Sequence, residues 1–157
     1  MAGAPPEQPT FYYDLSSPEA YLVAERSAAV LGEVPEWQPV RLSGLAVGEV
    51  GPFRCAAEID AYFEDVGRRA AAYELQPLRR PPGFPSESEW AMLVATYAKE
   101  IGRAVAFSLA AFRQAFAGGR DLEGGFPEVA RIVHAHPTFA EAVMEAARAA
   151  DGWLIHG

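Results

Sequence analysis

Apolar positions along this chain change their spacing several times, and each change marks an element. Residues 10–15 form a short continuous apolar and aromatic run centred on Phe11-Tyr12-Tyr13, and its length and composition predict a buried strand. Ser16-Ser17-Pro18 cuts that run short. From there Ala20, Tyr21, Ala24, Ala28 and Leu31 recur at helical spacing, with Gly32 as a stop, so a helix is predicted over 18–31. Ser16 or Ser17 serves as its N-cap. Pro18 stands where a missing N–H costs nothing, and Glu19 falls in the first turn, which favours negative charge. Alternation returns over 36–42 with Trp37, Pro39 or Val40, and Leu42, which predicts a second strand with Pro39 placing it at an edge.

Beyond Ser43 the pattern becomes helical. A helix is predicted over 56–73, with Ile59, Tyr62, Phe63, Val66, Ala70 and Tyr73 on one face. The run 77–85 holds too many prolines for regular helix or central strand and reads as an extended connection. Ser86 or Ser88 then caps a helix reaching about Gly102 through Trp90, Leu93, Val94 and Tyr97. Another covers 103–117 and ends at Gly118-Gly119, and two more are predicted over 126–135 and 137–150 before a short apolar stretch at 153–155. Tyr12, Tyr13, Trp37, Phe107, Phe112 and Phe116 are the expected aromatic core. The order is strand, helix, strand, then a block of helices, and two strands alone make a poor sheet.

Composition narrows the partners. The 157 residues, half of them apolar, suffice for one domain with a substantial core. A net charge of −8 argues against nucleic acid or an anionic membrane surface, and Arg68-Arg69 and Arg79-Arg80 are too short to overturn that. The leader 1–10, expected to be disordered, has neither the basic nor the apolar region of a secretory signal, and no stretch is long and apolar enough to span a bilayer. A cytoplasmic location is expected. The single cysteine, Cys55, excludes an intrachain disulfide and any Cys-x-x-Cys pair; alone in a Gly/Pro-rich loop, it reads as an inert thiol. His134 and His136 point apart on a helix end, and with His156 distant no metal site is expected.

The chemistry concentrates at the first strand-to-helix turn. A helix start presents free N–H groups and the positive end of a dipole, a place for an anion. Ser16, Ser17 and Pro18 sit there, and Arg41 and Ser43, after the second strand, are candidates for lining the same cleft.

The residues from Phe11 to Leu22 with Glu25, then Trp37 to Leu45, resemble the DsbA-type branch of the thioredoxin superfamily. The likeness is to its redox-inactive members, the 2-hydroxychromene-2-carboxylate isomerases and kappa-class glutathione transferases. Leu75 to Arg79 with Pro82 to Pro85 is similar to the family's proline-rich turn, and Ala106 to Phe116 followed by Gly119 to Leu122 to its helix ending in Gly-Arg-Asp. The resemblance implies an α/β, mostly helical chain. It implies further a thioredoxin-like βαβ half over 11–45, a DsbA-type helical domain over 46–150, and at 151–157 the start of a C-terminal half whose strands are expected to be missing from this chain. Where disulfide-handling relatives carry Cys-Pro-x-Cys, these positions read Ser17-Pro18-Glu19-Ala20.

The resemblance further implies that Ser17 is the catalytic serine, hydrogen-bonding the thiolate of glutathione for addition to a small electrophilic substrate, with Ser16, Pro18, Arg41 and Ser43 around the bound glutathione. A hydroxyl donor and a helix N-terminus both favour a thiolate, whose parent thiol titrates near ~8.5 when free. A homodimer is a further expectation. Two alternatives stand beside it: a non-catalytic thioredoxin-fold binding or assembly module, paired through the open sheet edge, and a thiol-disulfide oxidoreductase by family label only.

Overall fold

The structure, a computed structural model, describes residues 8–42, 53 and 55–122. The leader up to residue 7, Ser43, the helices expected over 126–135 and 137–150, the three histidines and the stretch 153–155 lie outside the described residues.

The chain opens with β1 (Thr10–Tyr13), α1 (Pro18–Leu31) and β2 (Glu36–Pro39). The strands pair in parallel, Thr10 opposite Glu36 and Tyr13 opposite Pro39, and make a two-stranded sheet among the described residues. Glu36 N–H to the Pro9 carbonyl (2.8 Å) and Val40 N–H to the Tyr13 carbonyl (2.9 Å) extend the ladder past both ends. Pro39 ends β2, where its missing N–H is least costly. Both strands are shorter than their apolar runs: Asp14 and Leu15 turn inward, and Leu42 is exposed. α1 begins and ends as its punctuation dictates. Ser17 caps it, Pro18 starts it, and Gly32 closes it at a φ of 73°, donating to the Ala28 carbonyl at 3.0 Å.

Three helices follow, α2 (Ala56–Ala72), α3 (Glu89–Glu100) and α4 (Ala104–Phe112), the last running into a π-helical turn, Arg113–Ala117. Gly118 ends that turn because a Cβ there would lie 2.6 Å from the Gln114 carbonyl oxygen. α3 and α4 pack together and both touch β2, while α1 lies against α4. One aromatic core joins them: Trp37 meets Phe11 edge-on at 5.0 Å and Tyr13 at 5.4 Å, Tyr13 meets Phe112 at 5.8 Å, and Tyr21 meets Phe116 at 6.0 Å. Such pairs add to the area they bury.

Tyr12, expected in the core, and Tyr73, expected on an apolar helix face, point outward instead. Tyr12 is 66 % exposed, because the sheet buries the face carrying Tyr13 and Trp37. Trp90 and Leu93 are exposed because the inward stripe of α3 is Ala91, Val94, Ala95 and Ala98 with Met92, small residues that let the helix approach closely. Tyr73 is exposed and carries the Arg26 guanidinium 3.5 Å over its ring, a cation–π contact. No helix among the described residues is long and apolar enough to cross a membrane.

Candidate active site at the start of α1

The turn between β1 and α1 is built on Asp14. Its carboxylate is 3 % exposed, and Oδ1 accepts from Ser16 N–H (2.9 Å), Ser16 Oγ (2.9 Å) and Ser88 Oγ (2.7 Å). Oδ2 accepts from Leu42 N–H at 2.7 Å. Two donors come from the turn, one from the segment after β2 and one from the start of α3. A buried carboxylate is tolerated only when its oxygens are satisfied in this way. Ser88 holds the N-cap position of α3, yet its hydroxyl goes to Asp14 and makes no cap bond.

Ser17 follows in extended backbone, its N–H donating to the Asp14 carbonyl at 3.1 Å. Its Oγ accepts from Ala20 N–H at 3.1 Å, the N-cap bond of α1, and donates to Glu19 Oε2 at 3.4 Å. Glu19 Oε2 also accepts the Tyr62 hydroxyl from α2. Burial, the hydrogen bond to Glu19 and that carboxylate's charge push the Tyr62 phenol well above its ordinary range, against a smaller lowering by Arg69. Tyr62 belongs to a second aromatic cluster, stacked on Phe84 at 6.1 Å and tilted against Phe53 at 5.1 Å.

The other predicted positions divide. Ser16 lines a narrow cleft with Leu15, Ser86, Glu87, Phe116 and Arg120, although its hydroxyl proton is committed to Asp14. The Pro18 ring is buried and starts the helix. Arg41 is ion-paired with Glu89 (2.9 Å) and Glu87 (3.7 Å), so recognition of an acidic ligand would exchange those partners. Ser43 lies outside the described residues. Cys55 is exposed, and no cluster of three His, Cys, Asp or Glu suited to a metal occurs among the described residues.

A cavity of about 540 Å³ is lined by Ile59, Asp60, Arg80, Pro82, Phe84 and Gly119 among others. Arg80 reaches Asp60 at 2.5 Å on its wall. Phe84, which lines the cavity, is the ring on which Tyr62 stacks, so a single aromatic layer connects it to the Ser17–Glu19 pair.

Sequence reasoning singled out Ser17 but missed Asp14, Ser88, Glu19 and Tyr62 as parts of one arrangement. Asp14 carried a local signal, a short carboxylate two residues before a serine in a turn, the pattern of an Asx-turn. Tyr62 carried none.

No family model matches the chain, and no curated protein matches it. Among solved structures, 2-hydroxychromene-2-carboxylate isomerase is similar: the match has a TM-score of 0.66 and 23 % identity, and covers 91 % of this chain and 73 % of that one. The chain therefore shares that isomerase's fold, an α/β, mostly helical architecture with a thioredoxin-like strand–helix–strand start followed by a block of helices.

Proposed function

We propose that the protein is a glutathione-dependent isomerase or transferase in which Ser17 holds the sulfur of the bound thiol. The observation that carries this reading is the Ser17 hydroxyl at the N-cap of α1, on a fold shared with 2-hydroxychromene-2-carboxylate isomerase. A hydroxyl donor above a helix N-terminus is a suitable holder for a sulfur with anionic character, although the Glu19 carboxylate beside it weighs against full charge there. When bound, glutathione supplies a nucleophilic sulfur for an electrophilic carbon of the substrate. Asp14 fixes the turn so that the Ser17 hydroxyl keeps one place, and Pro18 fixes where the helix dipole begins. The cavity behind Phe84 is of a size suited to a small substrate, and Arg80 is the cation on its wall. With one cysteine, the chain has no dithiol pair for disulfide exchange.

The test is calorimetry of glutathione with the wild-type protein and with Ser17→Ala. Binding by the wild type, weakened at least several-fold in Ser17→Ala and most strongly where the thiol is ionised, supports the reading. No binding by either protein overturns it and favours a non-catalytic module.

A further inference from the structure

α3 buries one face and leaves an apolar stripe along its flank. Ala91, Val94, Ala95 and Ala98 point inward, whereas Leu93 is 52 % exposed, Trp90 45 % and Ile101, the residue that closes the helix, 42 %, with Tyr97 half-buried among them. Steps of three or four residues put these side chains on one line, about 16 Å long. Single exposed apolar residues are ordinary on a protein surface, but a continuous line of large ones on one helix marks a surface that something covers.

The charges at the two ends of the line differ. Glu87 and Glu89 stand at its start, with side chains 75 % and 55 % exposed; Arg41 holds Glu89 at 2.9 Å and reaches Glu87 only at 3.7 Å. At the far end Lys99 is paired with Glu36 at 2.8 Å and Glu100 is exposed. Arg103, exposed just before α4, forms no ion pair among the described residues. A loosely held acid thus stands at one end and an unpaired cation at the other.

We propose that this flank of α3 is a contact surface between two copies of the chain, packed antiparallel about a two-fold axis. Turned end for end, the line complements itself. Equal steps from its centre set Leu93 against the partner's Tyr97 and Arg103 against the partner's Glu87, while Glu100 falls opposite the partner's Trp90 and so away from the partner's acids. A second copy therefore fits the apolar line and the charges at both of its ends in one arrangement. The stripe, rather than the open edge of the sheet, carries the pairing. A patch of this size is at the low end of specific interfaces, about 1,200 Å² in total or less, so the dimer forms and dissociates readily.

The experiment is sedimentation equilibrium of the full chain between about 5 μM and about 500 μM, for wild type, Leu93→Glu, Arg103→Glu and the double variant Glu87→Arg with Arg103→Glu. The expected result is a wild-type dimer dissociating at roughly tens of micromolar, weakened at least tenfold in Leu93→Glu and about fivefold in Arg103→Glu, and restored in the double variant because exchanging the two charges re-forms the pair at both ends. Leu93 and Arg103 are exposed, so the variants are expected to keep the wild-type circular dichroism; if Leu93→Glu does not, Arg103→Glu and its rescue decide. A wild type that is monomeric at every concentration overturns the proposal. So does a dimer indifferent to Leu93→Glu, which assigns the pairing to another face, and so does a double variant as weak as Arg103→Glu.

Discussion

Replacing Asp14 with asparagine tests whether the turn before α1 is held by its carboxylate. Asparagine has the same outline but exchanges one acceptor oxygen for an N–H₂ donor. In one orientation its oxygen keeps the two Ser16 bonds and the Ser88 bond, and its amide nitrogen faces Leu42 N–H, donor against donor, where Oδ2 had accepted at 2.7 Å. In the opposite orientation the amide nitrogen faces Ser16 N–H instead, while the Ser16 and Ser88 hydroxyls turn to accept from it, so one N–H loses its acceptor either way. Losing one hydrogen bond to a charged group and leaving a part-buried N–H facing another donor costs about 2–4 kcal/mol, offset in part because a buried charge is removed. At ~2–4 °C per kcal/mol for a chain of this size, Asp14→Asn is expected to melt roughly 5–12 °C lower. Thermal melting and urea titration at neutral pH measure it. Ser88→Ala removes one donor and costs about 1 kcal/mol, and the double variant is expected to lose less than the sum, since both changes act on one carboxylate. An Asp14→Asn protein melting within a degree of wild type would refute the reasoning.

Two further expectations concern stability. Ser17→Ala removes the N-cap bond to Ala20 N–H and is expected to cost about 1 kcal/mol whatever the protein binds, measured by urea titration without ligand; an unchanged midpoint contradicts the cap. Burial pushes the Tyr13 phenol up to about 12, against a smaller lowering by its 2.7 Å bond to Ser108. Between the unfolded value near ~10 and that folded value the native state keeps a proton the unfolded chain has lost. Stability is therefore complete below about pH 10 and falls by up to about 2–3 kcal/mol as pH rises toward 12, with Tyr62 acting in the same direction. Urea midpoints across this range, together with phenolate absorbance showing Tyr13 ionising late, check it; tyrosines that all ionise together near pH 10 in the folded protein would contradict it.

The start of α1 was legible because its signals are local. A capping serine, a proline and a closing glycine each act within one turn, and the helix spans the residues they mark. Strand ends were less so, since apolar content reports burial rather than ladder pairing. Leu15 is buried in a turn, and Leu42 is exposed while its N–H serves Asp14. On α3 the close approach of helix to sheet selected small residues for the inward face, a choice that residue size along the chain does not signal. At the site, Ser17 announced itself through Ser-Pro, but the pairing of Glu19 with Tyr62 depends on how α2 lies beside α1, which no spacing along the chain encodes. The fold supplied that placement.

The Asp14 carboxylate also has a consequence for the order in which the protein forms. Its donors at Leu42 and Ser88 are 28 and 74 residues away, and Tyr13 reaches Ser108 across 95. Contacts so distant in sequence pay their loop-closure entropy before they return anything, so they form late. A chain emerging from the ribosome can build α1 early, cap included. It cannot fix the turn beneath Ser17 until α3 has been synthesised and docked, so the hydroxyl proposed to hold the ligand takes a defined position only when most of the described fold is already in place.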